Sequence, residues 1–230
     1  SPMLAITGQV PTPAIGNQAF QEGDSFSLMM PVTKHNFRVL NPNSIPEAIN
    51  RGISIATTGR YGPVHIDLPM DSMNGEVSEE AMNREYVVES PPEDMTELPQ
   101  AAQLLRSAER PLIMVGGGCV WAGASDELIQ LAETLMAPIT TTLMGKSVVP
   151  ETHPLALGLI GMHGRELSRR ALSECDVLLA VGTRFSDRST GKGDLDENAK
   201  IVHVDIDPSE AGKSPQTKAR LVGDAKKALR

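Results

Sequence analysis

The fold of this chain is decided by the stretch Leu112-Ile113-Met114-Val115-Gly116-Gly117-Gly118, an apolar run that ends in three consecutive glycines. Four apolar residues in a row indicate a strand that is covered on both faces of a parallel sheet. Glycines directly after such a strand let the backbone approach a ligand, and the start of the following helix presents N–H groups to an anion. A tight turn that binds nothing is the alternative, because the stretch is not the G-x-G-x-x-G fingerprint.

Helical and strand patterns alternate on both sides of that stretch. Helices are predicted at 98–108, 126–136 and 165–173, and further strands at 139–143, 177–181, 200–206 and near 221–222. Such alternation predicts repeated βα units with right-handed crossovers. From about residue 96 onward we therefore predict an α/β domain, with an open, mostly parallel sheet flanked by helices.

The first part of the chain carries fewer elements. Strands are predicted at 3–7 and 64–68 with a helix between them, which is too little for a closed layered domain. A polar stretch with seven Glu follows. We predict a partial α/β domain at 1–72, a linker at 73–95 and a nucleotide-binding domain at 96–230. The strand-like start of the chain favours a fragment whose upstream part is missing.

Charge and cysteine content narrow the class of protein. A net charge of −8 and a pI near 5.2 argue against nucleic acid or an anionic membrane as the main partner, because both would repel the chain. No apolar run approaches the roughly 18 residues that cross a bilayer. Two cysteines, Cys119 and Cys175, exclude a disulfide framework and indicate a reducing, cytoplasmic setting.

Acidic residues locate a candidate ribose contact. The strand after the glycines ends in Thr140-Thr141-Thr142 without the acidic residue of a standard NAD site. Asp205 comes later, at the carboxyl end of another predicted strand, where ligands lie in open parallel sheets. We therefore expect Asp205 to contact a ribose hydroxyl.

The loop at 182–191 concentrates positive charge in an acidic protein. Its Arg184 and Arg188 suit a diphosphate, since guanidinium groups bind phosphate oxygens bidentately. A solvated polar loop is the alternative. Met144 and Met162, in loops flanked by glycine, either fill the core or line a flat ring.

Two histidine and aspartate pairs raise the question of a metal. His203 with Asp205, and His65 with Asp67, share one face of a strand, which could bring two ligands together. Histidines held by structural hydrogen bonds are the favoured alternative. We therefore assign no metal site.

Taken in order, short strings along the chain resemble one enzyme family, the large catalytic subunit of acetolactate synthase. That enzyme depends on thiamine diphosphate, contains FAD and serves branched-chain amino acid synthesis. The strings that carry the resemblance are Ala5-Ile6-Thr7-Gly8-Gln9-Val10-Pro11, Ala19-Phe20-Gln21-Glu22, Thr33-Lys34-His35-Asn36, Thr58-Gly59-Arg60, Gly62-Pro63-Val64, Thr142-Leu143-Met144-Gly145, Gly161-Met162-His163-Gly164, Gly182-Thr183-Arg184-Phe185, Asp187-Arg188, Thr190-Gly191 and Asp205-Ile206-Asp207.

The resemblance implies a domain assignment. Residues 1–72 would end a pyrimidine-binding domain, and 96–230 would form a Rossmann-like central domain that holds FAD. In the family the activating glutamate lies upstream of Ser1, and the magnesium motif lies beyond Arg230. Thiamine diphosphate and magnesium are therefore expected in the full-length enzyme, and the fragment by itself is predicted to be inactive.

The resemblance also implies roles for individual residues. Pro11, Phe20 and Gln21 match the wall of the substrate channel, and Arg60 matches an arginine that reaches the flavin from the first domain. The positions that match FAD contacts are Gly116, Gly117, Gly118, Thr142, Leu143, Met144, Met162, His163, Gly182, Thr183, Arg184, Arg188, Asp205, Ile206, Glu210, Asp224 and Ala225.

The implied reaction condenses two pyruvates, or pyruvate and 2-ketobutyrate, with decarboxylation. Implied partners are the 2-keto acid substrates, further copies of the chain and a small regulatory subunit. Two departures from the family pattern are Thr12-Pro13, where a basic residue is usual, and Met70, where lysine is usual. They keep pyruvate oxidase, glyoxylate carboligase and sulfoacetaldehyde acetyltransferase open as alternatives. A non-catalytic nucleotide-binding module is the alternative from another class.

Overall fold

The chain divides into two compact units, Ser1–Ser90 and Pro91–Arg230. The computed structural model describes residues 1–84, 86, 89–186, 188–190 and 195–230. The predicted linker at 73–95 contains that boundary. Its first part packs on the first unit, where the Ser78 N–H donates to the side-chain oxygen of Asn43 over 2.8 Å.

The first unit is a small parallel α/β sheet. Among the described residues its strands lie in the order β1-β3-β2, and α2 packs on the central strand through Ala48, Ile66 and Leu68. The sequence did not predict β2, because its polar residues suit an edge strand better than a core one. The elements are β1 Met3–Gln9, α1 Ser25–Met29, β2 His35–Arg38, α2 Ile45–Thr57, β3 Pro63–Pro69, α3 Met70–Met73 and α4 Glu79–Met82.

The second unit contains a larger parallel sheet with helices packed against it. Its described elements are α5 Leu98–Arg106, β4 Pro111–Val115, α6 Gly117–Trp121, α7 Ser125–Leu135, β5 Ile139–Thr141, β6 Ala156–Leu159, α8 Glu166–Glu174, β7 Val177–Val181, β8 Lys200–Asp205, β9 Thr217–Val222 and α9 Ala225–Ala228.

The strand order of this sheet, over the described residues, is β6-β5-β4-β7-β8-β9, and neighbouring strands are parallel. Successive strands run outward from β4 in one direction through β5 and β6. The chain then returns to the other side of β4 for β7. The carboxyl ends of β4 and β7 therefore form the topological switch point, where open α/β sheets bind ligands.

The apolar strands of the second unit are covered on both faces. Ile113 and Val115 of β4 pack into one buried cluster, and Leu112 and Met114 pack into the other. This burial confirms the predicted open, parallel α/β sheet flanked by helices. The sequence missed β6, whose run is interrupted by Gly158 at φ +90° and whose pairing with β5 shifts register.

Candidate functional site

The expected cofactor residues of the second unit gather at one edge of its sheet. Because all its described strand pairs are parallel, the segments after β4, β5, β6, β7, β8 and β9 lie at the same carboxyl edge. Each expected position belongs to the end of one of these strands or to the segment that follows it. The tertiary structure thus brings together residues from 116 to 225 that the sequence separates.

The triple glycine lies against the loop that follows β7. A Cβ added to Gly116 would lie 2.2 Å from the carbonyl oxygen of Gly182, and one added to Gly118 would lie 2.7 Å from Gly182 Cα. The Gly116 N–H donates to Val181 O over 2.9 Å, and the Gly118 N–H donates to Gly182 O over 3.1 Å. The glycines therefore allow two backbone turns to touch at the switch point, a role that the sequence did not reveal.

A tight turn after β5 presents two apolar side chains. The Thr142 N–H donates to Val115 O over 2.8 Å, and the Thr142 hydroxyl accepts from the Gly145 N–H over 3.2 Å. This closed turn directs Leu143 and Met144 outward, so that they are 71% and 69% exposed. Both are therefore available to a ligand and neither is core filler.

The segment after β6 adds a third exposed apolar side chain. Gly161 has φ +95°, and the Met162 N–H donates to Arg188 O over 3.0 Å, which joins this segment to the loop after β7. Met162 is 69% exposed. We name Leu143, Met144 and Met162 the apolar rim; it offers a surface suited to a flat ring.

The loop after β7 supplies positive charge. Arg184 and Arg188 are both exposed, and Phe185 between them has φ +49°. Ser189 is buried, and its hydroxyl donates to Ser186 O over 2.9 Å, which holds the end of the loop. Asp187 and Gly191 of the expected motif lie outside the described residues.

Three carboxylates lie at or after the ends of β8 and β9, at the same carboxyl edge of the sheet. Asp205, the last residue of β8, is only 7% exposed, and its Oδ1 accepts from the Asp207 N–H over 2.9 Å. Glu210 forms an ion pair with Lys213 over 2.9 Å. The Asp224 carboxylate caps α9 by accepting from the Lys227 N–H over 3.1 Å. A nearly buried carboxylate at a strand end is the expected geometry for a ribose contact.

His203 is a structural histidine. It is fully buried, its Nε2 lies 2.9 Å from Thr183 O, and its Nδ1 accepts from the Gly212 N–H over 3.2 Å. One neutral tautomer satisfies both contacts. Burial lowers the pKa of His203 and outweighs the opposing effect of Asp205. Among the described residues, no group of three or more His, Cys, Asp or Glu side chains could hold a metal.

Neither cysteine suits a nucleophile. Cys119 and Cys175 are buried, and burial raises the pKa of each thiol to about 12. A thiol rather than a thiolate is therefore present near neutral pH.

The first unit places its expected site residues at opposite edges of its own sheet. Pro11, Phe20 and Gln21 follow the carboxyl end of β1, and the Phe20 side chain is 90% exposed. Arg60 precedes β3, and hence lies at the amino edge of the same parallel sheet. The fold of this unit alone does not bring Arg60 to the other three residues.

A buried polar network in the first unit is only partly visible in the sequence. Asp67 is fully buried and accepts from Arg38 Nε over 2.9 Å, from the Ser25 hydroxyl over 2.7 Å and from the Thr7 hydroxyl over 3.0 Å. His65 Nε2 lies 2.8 Å from the same Thr7 hydroxyl. From the sequence, His65 and Asp67 were expected to share one face of a strand. Their hydrogen-bond partners come from distant segments and could not be predicted in this way. The network joins the strands of this sheet and provides no cluster of metal ligands.

Across the described part of the chain, no helix combines the length and apolar character required to span a membrane.

Comparisons with known proteins agree with the motif-based resemblance. Residues 98–230 match the family model described as thiamine pyrophosphate enzyme, central domain. A probable acetolactate synthase large subunit from Methanocaldococcus jannaschii is 51% identical over 237 residues, which cover 100% of this chain and 40% of that protein. The acetolactate synthase large subunit of Corynebacterium glutamicum is 44% identical, over 99% of this chain and 37% of that protein.

A plant protein shows the same pattern. Acetolactate synthase 1, chloroplastic, from Oryza sativa subsp. japonica is 43% identical over 99% of this chain and 36% of its own length. The chain thus spans about 40% or less of the length of these curated relatives. The resemblance that the short strings predicted is confirmed.

Proposed function

This chain belongs to the thiamine pyrophosphate enzyme family through its central domain, and on that premise we propose that it forms part of an acetolactate synthase. The reaction would join two pyruvates, or pyruvate and 2-ketobutyrate, with loss of carbon dioxide. The observation that carries the proposal is the 51% identity, along the entire chain, to a relative named for this activity.

We propose that the domains follow the family order. Residues 1–72 would end the pyrimidine-binding domain, and 96–230 would form the domain that holds FAD. Residues 73–95 would be the linker between these two domains. The carboxyl edge of the second sheet supports an FAD site by its chemistry. It combines a nearly buried carboxylate at Asp205, exposed guanidinium groups at Arg184 and Arg188, and the apolar rim.

Each part of FAD has a proposed partner. Asp205 would accept from a ribose hydroxyl, Arg184 and Arg188 would bind the diphosphate, and the apolar rim would pack on the flat flavin ring. The other proposed contacts are Gly116, Gly117, Gly118, Thr142, His163, Gly182, Thr183, Ile206, Glu210, Asp224 and Ala225, with Arg60 of the first unit.

Pro11, Phe20 and Gln21 are proposed to form the acceptor side of the substrate channel. When bound, thiamine diphosphate supplies the electron sink for decarboxylation. The proposed contribution of this chain is to position the acceptor. An aromatic side chain at Phe20 would limit the orientations that a 2-keto acid can adopt, which would lower the entropy cost of the bond-forming step. We also propose a cytoplasmic homo-oligomer with a small regulatory subunit, as in the family.

The FAD proposal is tested by titrating the purified 230-residue chain with FAD and following flavin absorbance and fluorescence. We expect stoichiometric uptake, and we expect Arg188→Ala to weaken it roughly 10- to 100-fold, because a charge-assisted hydrogen bond contributes about 1.5–3 kcal/mol. Arg169→Ala is the matched control, since Arg169 is an exposed arginine on α8 that pairs with Glu166. A chain that binds ADP but no flavin would contradict an FAD site and favour a nucleotide-binding module.

The reaction is tested by product analysis of the full-length protein with pyruvate as sole substrate. We expect the five-carbon acetohydroxy acid. The second candidate is another thiamine enzyme, and the residues at two positions favour it: Thr12, whose N–H and hydroxyl both donate to Asp71, and the exposed Met70. These positions lack the family's usual cations. A product other than the acetohydroxy acid would select that candidate.

A further inference from the structure

The segment at 10–23, which joins β1 to α1, is a compact loop held by three side chains. We name it the channel loop, because it carries Pro11, Phe20 and Gln21. Gln9 closes its base: Oε1 accepts from the Val10 N–H over 2.8 Å, and Nε2 donates to Gly23 O over 2.5 Å. Loops whose ends are bridged in this way behave as packed Ω-loops, and many of them are functional.

Glu22 fastens the interior of the channel loop. One carboxylate oxygen accepts from the Gly16 N–H, and the other accepts from the Ala19 N–H over 3.0 Å. A carboxylate can accept at both oxygens, whereas the glutamine amide has one accepting oxygen. The negative charge of Glu22 is therefore matched to this pair of donors.

The backbone around Phe20 needs such support. Gln18 has φ +55° and Gln21 has φ +65°, which are left-handed conformations that non-glycine residues rarely adopt. Backbone of this kind persists only where the surroundings hold it. Since Phe20 lies between these two residues, its direction depends on the hydrogen bonds to Glu22.

Asp71 anchors the other end of the channel loop. Its Oδ1 accepts from the Thr12 N–H over 3.0 Å and from the Thr12 hydroxyl over 3.1 Å. Asp71 lies in α3, directly after β3. The segment that carries Pro11 is thus fixed to the central strand of the sheet.

We propose that Glu22 and Asp71 are positioning residues for the acceptor side of the site, which hold the channel loop so that Phe20 and Pro11 discriminate between 2-keto acid acceptors. The proposal rests on the proposed carboligase function. Neither carboxylate needs to touch the substrate, because each acts through the backbone that it binds. Loss of the hydrogen bonds to Glu22 or to Asp71 would let the channel loop move and would lower selectivity for the acceptor.

The first test measures acceptor choice in the full-length protein, with pyruvate and 2-ketobutyrate in competition. We expect Glu22→Gln to shift the ratio of the two products roughly fivefold or more, in the same direction as Phe20→Ala. The variant with both changes should give the same product ratio as Phe20→Ala alone, since the two changes remove the same function. Glu47→Gln is the matched control, because Glu47 is a helix residue paired with Arg51. If Glu22 had a merely structural role, Glu22→Gln would lower both products equally, and that result would overturn the proposal. Additive effects of Glu22→Gln and Phe20→Ala on the product ratio would overturn it as well.

The second test does not depend on activity. Hydrogen exchange in peptides that cover residues 14–20 should be roughly five- to tenfold faster in Glu22→Gln and unchanged in Glu47→Gln. Asp71→Ala should accelerate exchange at Thr12 in the same way, because it removes the oxygen that accepts both Thr12 bonds. A full-length protein that makes no acetohydroxy acid defeats the proposed function, and the exchange data still decide whether the two carboxylates hold the loop. Unchanged exchange in both variants overturns the positioning role.

Discussion

An alanine at position 116 would force a methyl group into the backbone of the loop after β7. Its Cβ would lie 2.2 Å from Gly182 O and 2.9 Å from the carbonyl carbon of the same residue. Gly116 has φ −111°, which alanine adopts without strain, so the effect of Gly116→Ala is purely steric. The neighbouring atoms are main-chain atoms of Gly182 and the Cβ of Thr183, none of which can rotate away, so the two turns at the switch point must separate.

The expected cost follows from these contacts. Overpacking a buried position costs about 1–3 kcal/mol. Separation of the turns also weakens the hydrogen bonds from Gly116 to Val181 and from Gly118 to Gly182, at about 1 kcal/mol each. We expect a loss of about 2–4 kcal/mol in the free energy of unfolding of the second unit. For a unit of this size that corresponds to a melting temperature lower by about 6–12 °C.

Thermal unfolding of the ligand-free chain, followed by circular dichroism, measures this loss. Gly117→Ala is the milder comparison, because its Cβ would lie 3.1 Å from Met144 Cβ and 3.4 Å from Met144 O, and alanine favours the helix. We expect Gly117→Ala to change stability by less than about 1 kcal/mol. Gly118→Ala, with its Cβ 2.7 Å from Gly182 Cα, should fall between the two.

The result that would refute this reasoning is a ligand-free Gly116→Ala variant as stable as the parent chain but with weakened FAD binding. Such a result would mean that the glycine serves only the approach of a ligand. Reduced stability without ligand, in the order predicted by the three distances, would establish that packing of the two turns is the main requirement.

Two further predictions concern pH and buried polar groups. Burial raises the pKa of Asp176, but hydrogen bonds from the Glu109 and Arg110 N–H groups outweigh it and lower the pKa overall. Asp176→Asn should therefore cost about 1–2 kcal/mol at pH 7. In urea unfolding the difference should begin to shrink as the pH falls below about 4, the ordinary value, and should be lost only below the depressed pKa of the folded chain. His203→Phe should cost about 2–4 kcal/mol at pH 8, since it leaves Thr183 O unpaired in a buried site. Because burial lowers the pKa of His203, the parent chain should lose this advantage as the pH falls below about 6.5, which urea unfolding at pH 8 and pH 5.5 would reveal.

Local patterns predicted the elements with a continuous apolar run. The strand through Ile113 and the strand through Leu179 were predicted because a strand buried on both faces must be apolar at each position. The edge strands β2 and β6 were missed for the converse reason. An edge strand is covered on fewer sides, so residues such as His35 and Gly158 are tolerated there.

The sequence by itself determined the fold class, the family and the set of residues expected at the cofactor edge, because these depend on local periodicity and on short strings. Only the tertiary structure decided why Gly116 and Gly118 are glycines, and which partners His203, Glu22 and Asp71 have. The physical reason is that such requirements arise between segments far apart in the chain. A carbonyl 2.2 Å from a missing Cβ leaves no local mark on the sequence other than the glycine itself.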